Sequence, residues 1–231
     1  MRLNRYIASS GYSSRRKADI LIREGKVIVN GQIIREPWYR VNPGDSVIVK
    51  GRRIELSKYT YIVLNKPKGF IVTRKDKFAK NTIYRLLPKE FRNLFPVGRL
   101  DKNSRGLLLL TNDGEFCYKY THPKFEVEKE YLLLVKGLFS KENINKACQG
   151  IKEGKDLLKV KNITIQKVYP DKTELAVVVT EGKKRHLRRL FSSLGFRVLD
   201  LKRIRMGKFS LGNLKEGYFR VIRPNQSNDR R

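Results

Sequence analysis

Acidic residues are scarce in this chain: 22 Asp plus Glu stand against 52 Lys plus Arg in 231 residues, a formal net charge of +30. Such an imbalance on a folded surface favours a polyanionic partner, bound mainly through phosphate contacts and with an affinity that falls steeply with salt. Long apolar runs are missing as well, so no segment is expected to span a bilayer. No lipidation motif occurs, which leaves an anionic membrane surface as the weaker polyanion. The first residues, Met1-Arg2-Leu3-Asn4-Arg5-Tyr6, lack the apolar core of a signal peptide. Cysteine and histidine are nearly absent. Cys117 and Cys148 lie in unrelated contexts and form no disulfide framework, and neither His122 nor His186 stands near a cysteine at metal-ligand spacing. The expectation is a reduced, cytoplasmic protein without a metal. What is present is enough apolar residue (40%) to build packed cores, over a length that suits two modest domains.

At the N-terminus, Leu3, Tyr6 and Ile7 recur at helical spacing until Ser9-Ser10-Gly11 stops them. Ser13 or Ser14 is placed to cap a second helix with an inward face of Ala18, Leu21 and Ile22, ending at Gly25. Residues 26–34 and 45–51 read as short strands broken by the Asn30-Gly31 and Pro43-Gly44 turns. This predicts a small helix-helix-sheet module at residues 1–57. Arg15, Arg16 and Lys17 occupy the first turn of its second helix, where the helix dipole prefers negative charge. Three cations there are unfavourable unless an anion joins them, and a helix N-terminus already offers free N–H groups to phosphate.

A polar stretch from Gly51 to Lys58 precedes a second domain, expected over residues 58–224, with a polar, frayed tail at 225–231. Its strand candidates are Tyr61 to Asn65, running into the Lys66-Pro67-Lys68-Gly69 turn, then Gly106 to Leu110, Glu130 to Val135 and Glu174 to Thr180. The uniformly apolar Leu132 to Val135 is expected to be central. A helix from about Arg185 places Leu187, Leu190, Phe191 and Leu194 on one face and ends at Gly195. Arg185, Arg188 and Arg189 share a side of that helix, suited to backbone phosphates or to gripping a carboxylate. Asp113, in an Asn-Asp-Gly turn, reads as structural, and His122, before Pro123, reads as a loop residue and not a ligand.

One segment stands apart. Gly98-Arg99-Leu100-Asp101-Lys102-Asn103-Ser104-Arg105-Gly106 sets a lone carboxylate among three cations, just ahead of the apolar run Leu107 to Leu110. Neighbouring cations favour the charged form of an acid, so Asp101 is the first candidate for chemistry.

Two resemblances follow from these residues. Arg2-Leu3-Asn4-Arg5-Tyr6-Ile7, the helix start Ser13-Ser14-Arg15-Arg16-Lys17-Ala18-Asp19, and Gly25-Lys26-Val27-Ile28-Val29-Asn30-Gly31 resemble the alpha-L RNA-binding motif of ribosomal proteins. Further on, Asn65-Lys66-Pro67-Lys68-Gly69, Pro96-Val97-Gly98-Arg99-Leu100-Asp101, residues 106–114, Glu128-Lys129-Glu130-Tyr131 and Arg185-His186-Leu187-Arg188-Arg189-Leu190 resemble, in that order, the bacterial rRNA pseudouridine synthases of the RsuA and RluB/E/F group.

The resemblance implies an α+β protein: an RNA-binding module followed by a catalytic domain with a central, mainly antiparallel mixed sheet flanked by helices. It implies Asp101 as the essential carboxylate, Tyr131 packing on the target base and Arg188 pairing with the aspartate. Arg99, Leu100, Lys129 and Leu201 would line the pocket, and Arg2, Arg5, Arg15, Arg16, Lys17, Arg185 and Arg189 would hold RNA. His186 stands where glutamine is common, Lys183-Lys184 where asparagine is often seen, and Ser104 where threonine is frequent. The implied reaction breaks the N1–C1′ bond of uridine, turns the uracil and joins C5 to C1′. It has no redox change or group transfer, so no cofactor is expected. The carboxylate either attacks C1′ or takes the 2′ proton, and the sequence does not choose. The implied partner is ribosomal RNA or a pre-ribosomal particle, large subunit favoured, engaged by a monomer without a membrane. A non-catalytic ribosome-associated RNA-binding protein is the second reading. It accounts for the charge and the first module but not for the acid, tyrosine and arginine together.

Overall fold

In the computed structural model, residues 1–74 and 81–223 are described; the polar tail expected at 225–231 lies outside them. The chain divides into two compact units, Met1–Tyr59 with Asn112–Gly114, and the remainder from Thr60. In the first unit, helices α1 (Leu3–Ser9) and α2 (Arg15–Arg23) pack on strands β1 (Val27–Val29), β2 (Gln32–Ile33), β3 (Val47–Val49) and β4 (Arg52–Ile54), joined antiparallel in the order β2-β1-β3-β4. The expected helix face is the buried one: Ala18, Leu21 and Ile22 join Leu3 and Ile7 against Val27, Val29, Val47 and Val49. Ser14 caps α2, its hydroxyl accepting from the Lys17 backbone N–H at 3.4 Å.

Asn30 and Gly31, with φ of 50° and 83°, make the two-residue hairpin that their types predict. Lys50 and Gly51 repeat that geometry, with φ of 48° and 75°, and turn the chain into β4. The polar stretch from Gly51 therefore begins with a strand, a feature hidden because lysine rarely signals a left-handed turn position.

The second unit carries β5 (Tyr61–Lys66), β6 (Phe95–Pro96), β7 (Arg105–Thr111), α3 (Gly114–Thr121), β8 (Lys129–Lys136), α4 (Lys141–Gln149), β9 (Ile151–Glu153), β10 (Asp156–Leu158), β11 (Asn162–Val168), β12 (Lys172–Val179), α5 (His186–Ser193), β13 (Val198–Met206), β14 (Phe209–Ser210) and β15 (Phe219–Ile222). Its main sheet runs β11-β12-β8-β13-β7-β5-β15, antiparallel except for the β13–β7 pair. This is the α+β, mainly antiparallel mixed sheet that the sequence motifs imply. Leu107 and Leu109 point into one core and Leu108 and Leu110 into another, which explains an uninterrupted apolar strand. Among the described residues, no helix is long and apolar enough to cross a membrane.

The parallel contact brings the backbones of β7 and β13 unusually close. Arg203 of β13 faces Gly106 of β7 so closely that a Cβ at Gly106 would lie 2.2 Å from the Arg203 carbonyl oxygen, and Gly106 has φ +101°. Only glycine fits there. Gly106→Ala is expected to destabilise the second unit by on the order of 3 kcal/mol or more, through a backbone clash added to a strained dihedral. Urea denaturation checks this, and an unchanged midpoint would contradict the close approach.

Candidate active site

A cavity of about 590 Å³ opens in the second unit, with Asp101, Tyr131 and Arg188 all on its wall. Strand alternation explains its floor. Lys129 and Tyr131 are two apart on β8, and Leu201 and Arg203 are two apart on β13, with Tyr131 opposite Arg203. Arg99, Leu100 and Arg185 also line it, so the three residues named for chemistry, the four named for the pocket and one named for RNA meet at one place.

Asp101 sits on the loop that enters β7, with its side chain exposed. Each carbonyl of that loop accepts a hydrogen bond. The Asp101 carbonyl takes the Ser104 N–H at 3.1 Å, and the Lys102 carbonyl takes the Gly69 N–H at 2.8 Å. The Asn103 carbonyl accepts from the Arg188 guanidinium at 3.1 Å, and the Ser104 carbonyl accepts from the Lys66 ammonium at 2.7 Å. The backbone is pinned throughout, while the carboxylate forms no ion pair or side-chain hydrogen bond with any described residue.

Lys66, which the sequence offers only as part of a turn motif, lies beneath the Asp101 loop and is bonded to it. Its ammonium is 0% exposed and also donates to the Pro67 carbonyl at 3.0 Å. Burial pulls its pKa down to about 8, against the opposing charges of Asp101 and Glu216. A lysine ending an apolar strand before Pro-Gly punctuation was the available signal.

Arg188 is placed differently from the expected grip on the aspartate. Its two terminal nitrogens donate to the carbonyls of Val198 and Asn103, both at 3.1 Å, and its Nε is buried without a partner. Burial and the charge of Arg185 lower its pKa, and the charges of Asp101 and Asp200 oppose them. Arg188 thus meets the Asp101 loop at the Asn103 carbonyl and Asp101 itself only through its charge, not through a salt bridge.

Two more cations close the floor. Lys129 is buried, donates to the carbonyls of Val127 (2.9 Å) and Thr180 (2.8 Å), and has its pKa lowered to about 8 by burial and by the charge of Arg203. Arg203, 2% exposed, donates to the Leu107 carbonyl at 2.7 Å and keeps one terminal nitrogen buried without a partner.

Residues 60–193 match the RNA pseudouridylate synthase family, and residues 1–47 match the S4 domain. The chain belongs to the RNA pseudouridylate synthase family. It is 37% identical to the ribosomal large subunit pseudouridine synthase B of Bacillus subtilis (strain 168), over 97% of this chain and 93% of that protein. It is also 37% identical to an uncharacterised RNA pseudouridine synthase of Aquifex aeolicus (strain VF5), covering 96% and 90%. A crystal structure of a pseudouridylate synthase aligns with a TM-score of 0.66 at 27% identity, over 96% of both chains. This protein is an RNA pseudouridine synthase, an isomerase.

The remaining named residues of this pseudouridine synthase divide by position. In the first unit Arg2, Arg15, Arg16 and Lys17 are exposed and Arg5 is half-buried, and the first turn of α2 contains no acid. Arg189 is turned away from the cavity wall: it pairs with Glu153 and, at 2.8 Å, with Asp156, one carboxylate from each strand of the β9–β10 hairpin. Two carboxylates at bonding distance satisfy its guanidinium, so it joins α5 to that hairpin. His186, buried at the start of α5, has Nε2 2.9 Å from the Lys159 carbonyl. A carbonyl only accepts, so Nε2 carries the proton, and burial favours the neutral ring by lowering its pKa. Here the histidine ties the first turn of α5 to the chain after β10.

Proposed function

We propose that this synthase converts uridine to pseudouridine in ribosomal RNA, that of the large subunit, with Asp101 as the catalytic carboxylate. The observation that carries the reading is the exposed Asp101 side chain, set on a fully hydrogen-bonded loop above a cavity floored by Tyr131. A nucleotide must leave its stack to reach such a pocket, and a strongly basic RNA-binding surface helps to offset that unfavourable step. The tyrosine ring offers a flat face to the extruded uracil, and its hydroxyl is the group available to assist loss of the C5 proton.

Asp101 attacks C1′ or removes the 2′ proton, and either route detaches uracil with negative charge building on the base. Lys129 and Arg203, buried cations on the cavity floor, are the groups whose field stabilises that charge. Rejoining through C5 breaks the bond between Asp101 and C1′ on the first route, or goes with return of the 2′ proton from Asp101 on the second. The C5 proton then leaves, N1 gains one, and the product is an isomer with no net exchange of atoms. Arg188 and Lys66 act as positioning residues by fixing the Asp101 loop. Arg2, Arg5, Arg15, Arg16 and Lys17 of the S4 domain are assigned to RNA phosphates, acting as a monomer in the cytoplasm, where ribosomal RNA is found.

The choice of the large subunit rests on the relative from Bacillus subtilis. Purified protein is incubated with unmodified transcripts of each ribosomal RNA, and pseudouridines are mapped. Product at one or a few uridines of the large-subunit transcript is expected. Product confined to the small-subunit transcript would overturn the subunit choice, and product on neither would remove ribosomal RNA as substrate.

A further inference from the structure

A second cavity, of about 660 Å³, lies on the other side of Arg188; Arg185 and Arg188 line both cavities, and Lys68, Asn103 and Arg197 line only this one. Among the described residues no carboxylate lines it. Lys68 does hold one oxygen of Asp200, at 2.6 Å, but the other oxygen of Asp200 is taken by Arg105 at 2.7 Å. Glu216 is likewise committed to Arg105, at 2.5 Å. Arg185 and Arg197 are exposed and form no ion pair with any described residue. The charge of Arg185 works against that of Arg188, while the charges of Asp101 and Asp200 favour it.

The structure assigns this second cavity to a phosphodiester of the RNA strand, next to the uridine held in the first. The reading rests on the RNA substrate proposed above. Guanidinium groups suit a phosphate because their planar forks donate paired hydrogen bonds to its oxygens. Arg188 already gives one N–H of each terminal nitrogen to the Val198 and Asn103 carbonyls, which fixes its guanidinium in place. It forms the partition between the cavities, and Arg185, Arg197 and Lys68 supply the donors. The consequence is a coupling: the strand anchored beside Arg188 presses on the same Asn103 carbonyl contact that braces Asp101. Correct placement of the flanking phosphate and aim of the carboxylate share one residue.

Arg197 isolates the idea, because its side chain is exposed and the bond it makes to Lys136 runs through its backbone carbonyl. Wild type, Arg197→Lys and Arg197→Glu are compared in single-turnover kinetics on the ribosomal transcript that wild type modifies, at several salt concentrations. For Arg197→Glu, half-saturation is expected to move to about tenfold more RNA, the slope of log affinity against log salt to shrink by about one, and the saturated rate to stay within about threefold. Arg197→Lys should keep the salt slope.

Unchanged half-saturation and slope in Arg197→Glu would overturn the subsite. So would a lost saturated rate at unchanged half-saturation, which marks a structural role. Inorganic phosphate, added at constant ionic strength, should inhibit wild type no more than chloride does. Selective inhibition that vanishes in Arg197→Glu would assign the cavity to a free anion instead. No product from wild type on any transcript would strike the substrate reading, whereas wild-type product with an unaffected Arg197→Glu strikes only the subsite.

Discussion

Asp101→Asn leaves RNA binding within about twofold of wild type and lowers pseudouridine formation by more than about 10³-fold, the scale on which a nucleophile or general base acts. The substitution keeps the size of the side chain and removes its charge. An amide neither attacks C1′ nor accepts the 2′ proton, so both routes stop. Folding is not at stake, because the Asp101 side chain is exposed and every bond that pins its loop is made by backbone carbonyls. Product is measured by base-resolution mapping on the transcript that wild type modifies, and affinity by filter binding. Activity within tenfold of wild type would take Asp101 out of the reaction.

Lys66→Met is expected to reduce the rate at saturating RNA on the order of 10²-fold, although Lys66 touches no substrate. Misplacement of a reacting group by about 1 Å has an effect of that size. Methionine fills most of the space of the buried stem but leaves the Ser104 and Pro67 carbonyls without their donor. The loop then settles elsewhere and Asp101 with it. A second readout separates this from loss of charge alone. The folded-state pKa of Lys66 is about 8, against 10.5 ordinarily, so between those values the unfolded chain binds more protons. Stability of the wild type therefore rises as pH climbs from about 8 to 10.5, and Lys66→Met should rise less over that window. Urea midpoints at pH 7, 8, 9 and 10 test the difference. Equal slopes would mean that the ammonium is not buried, and an unchanged turnover would remove it from positioning Asp101.

Much of the fold could be read from local pattern. Asn30-Gly31 signals its hairpin, the apolar spacing from Leu187 to Leu194 signals α5, and Leu107 to Leu110 signals a strand buried on both faces. Strand β13 escaped notice for a physical reason. Its pairing with β8 shifts register between Val198 and Asp200 and again between Arg203 and Arg205. Each bulge breaks the two-residue alternation by which a strand is recognised, and charged Lys202, Arg203 and Arg205 reinforce the appearance of a loop. Helix α4 was missed because only Ala147 of its nine residues is fully buried, leaving little apolar stripe to see. In β11 the shift at Ile165/Lys167 had the same effect as the bulges of β13.

The sequence by itself determined the class of molecule: a basic, two-part chain with its lone acid ahead of an apolar strand, and a set of motifs whose order is enough to name the family. Those properties are local, written in composition, spacing and turn chemistry. Tertiary structure alone decided which group each arginine and lysine serves. Arg188 reaches the Asn103 carbonyl rather than the Asp101 carboxylate, Lys66 lies beneath the loop, and Arg189 turns to Glu153 and Asp156. A long cation among many carbonyls and few acids has several partners of similar strength. Which one it takes depends on backbone positions 85 residues apart in the case of Arg188 and Asn103, and only the folded sheet brings those together.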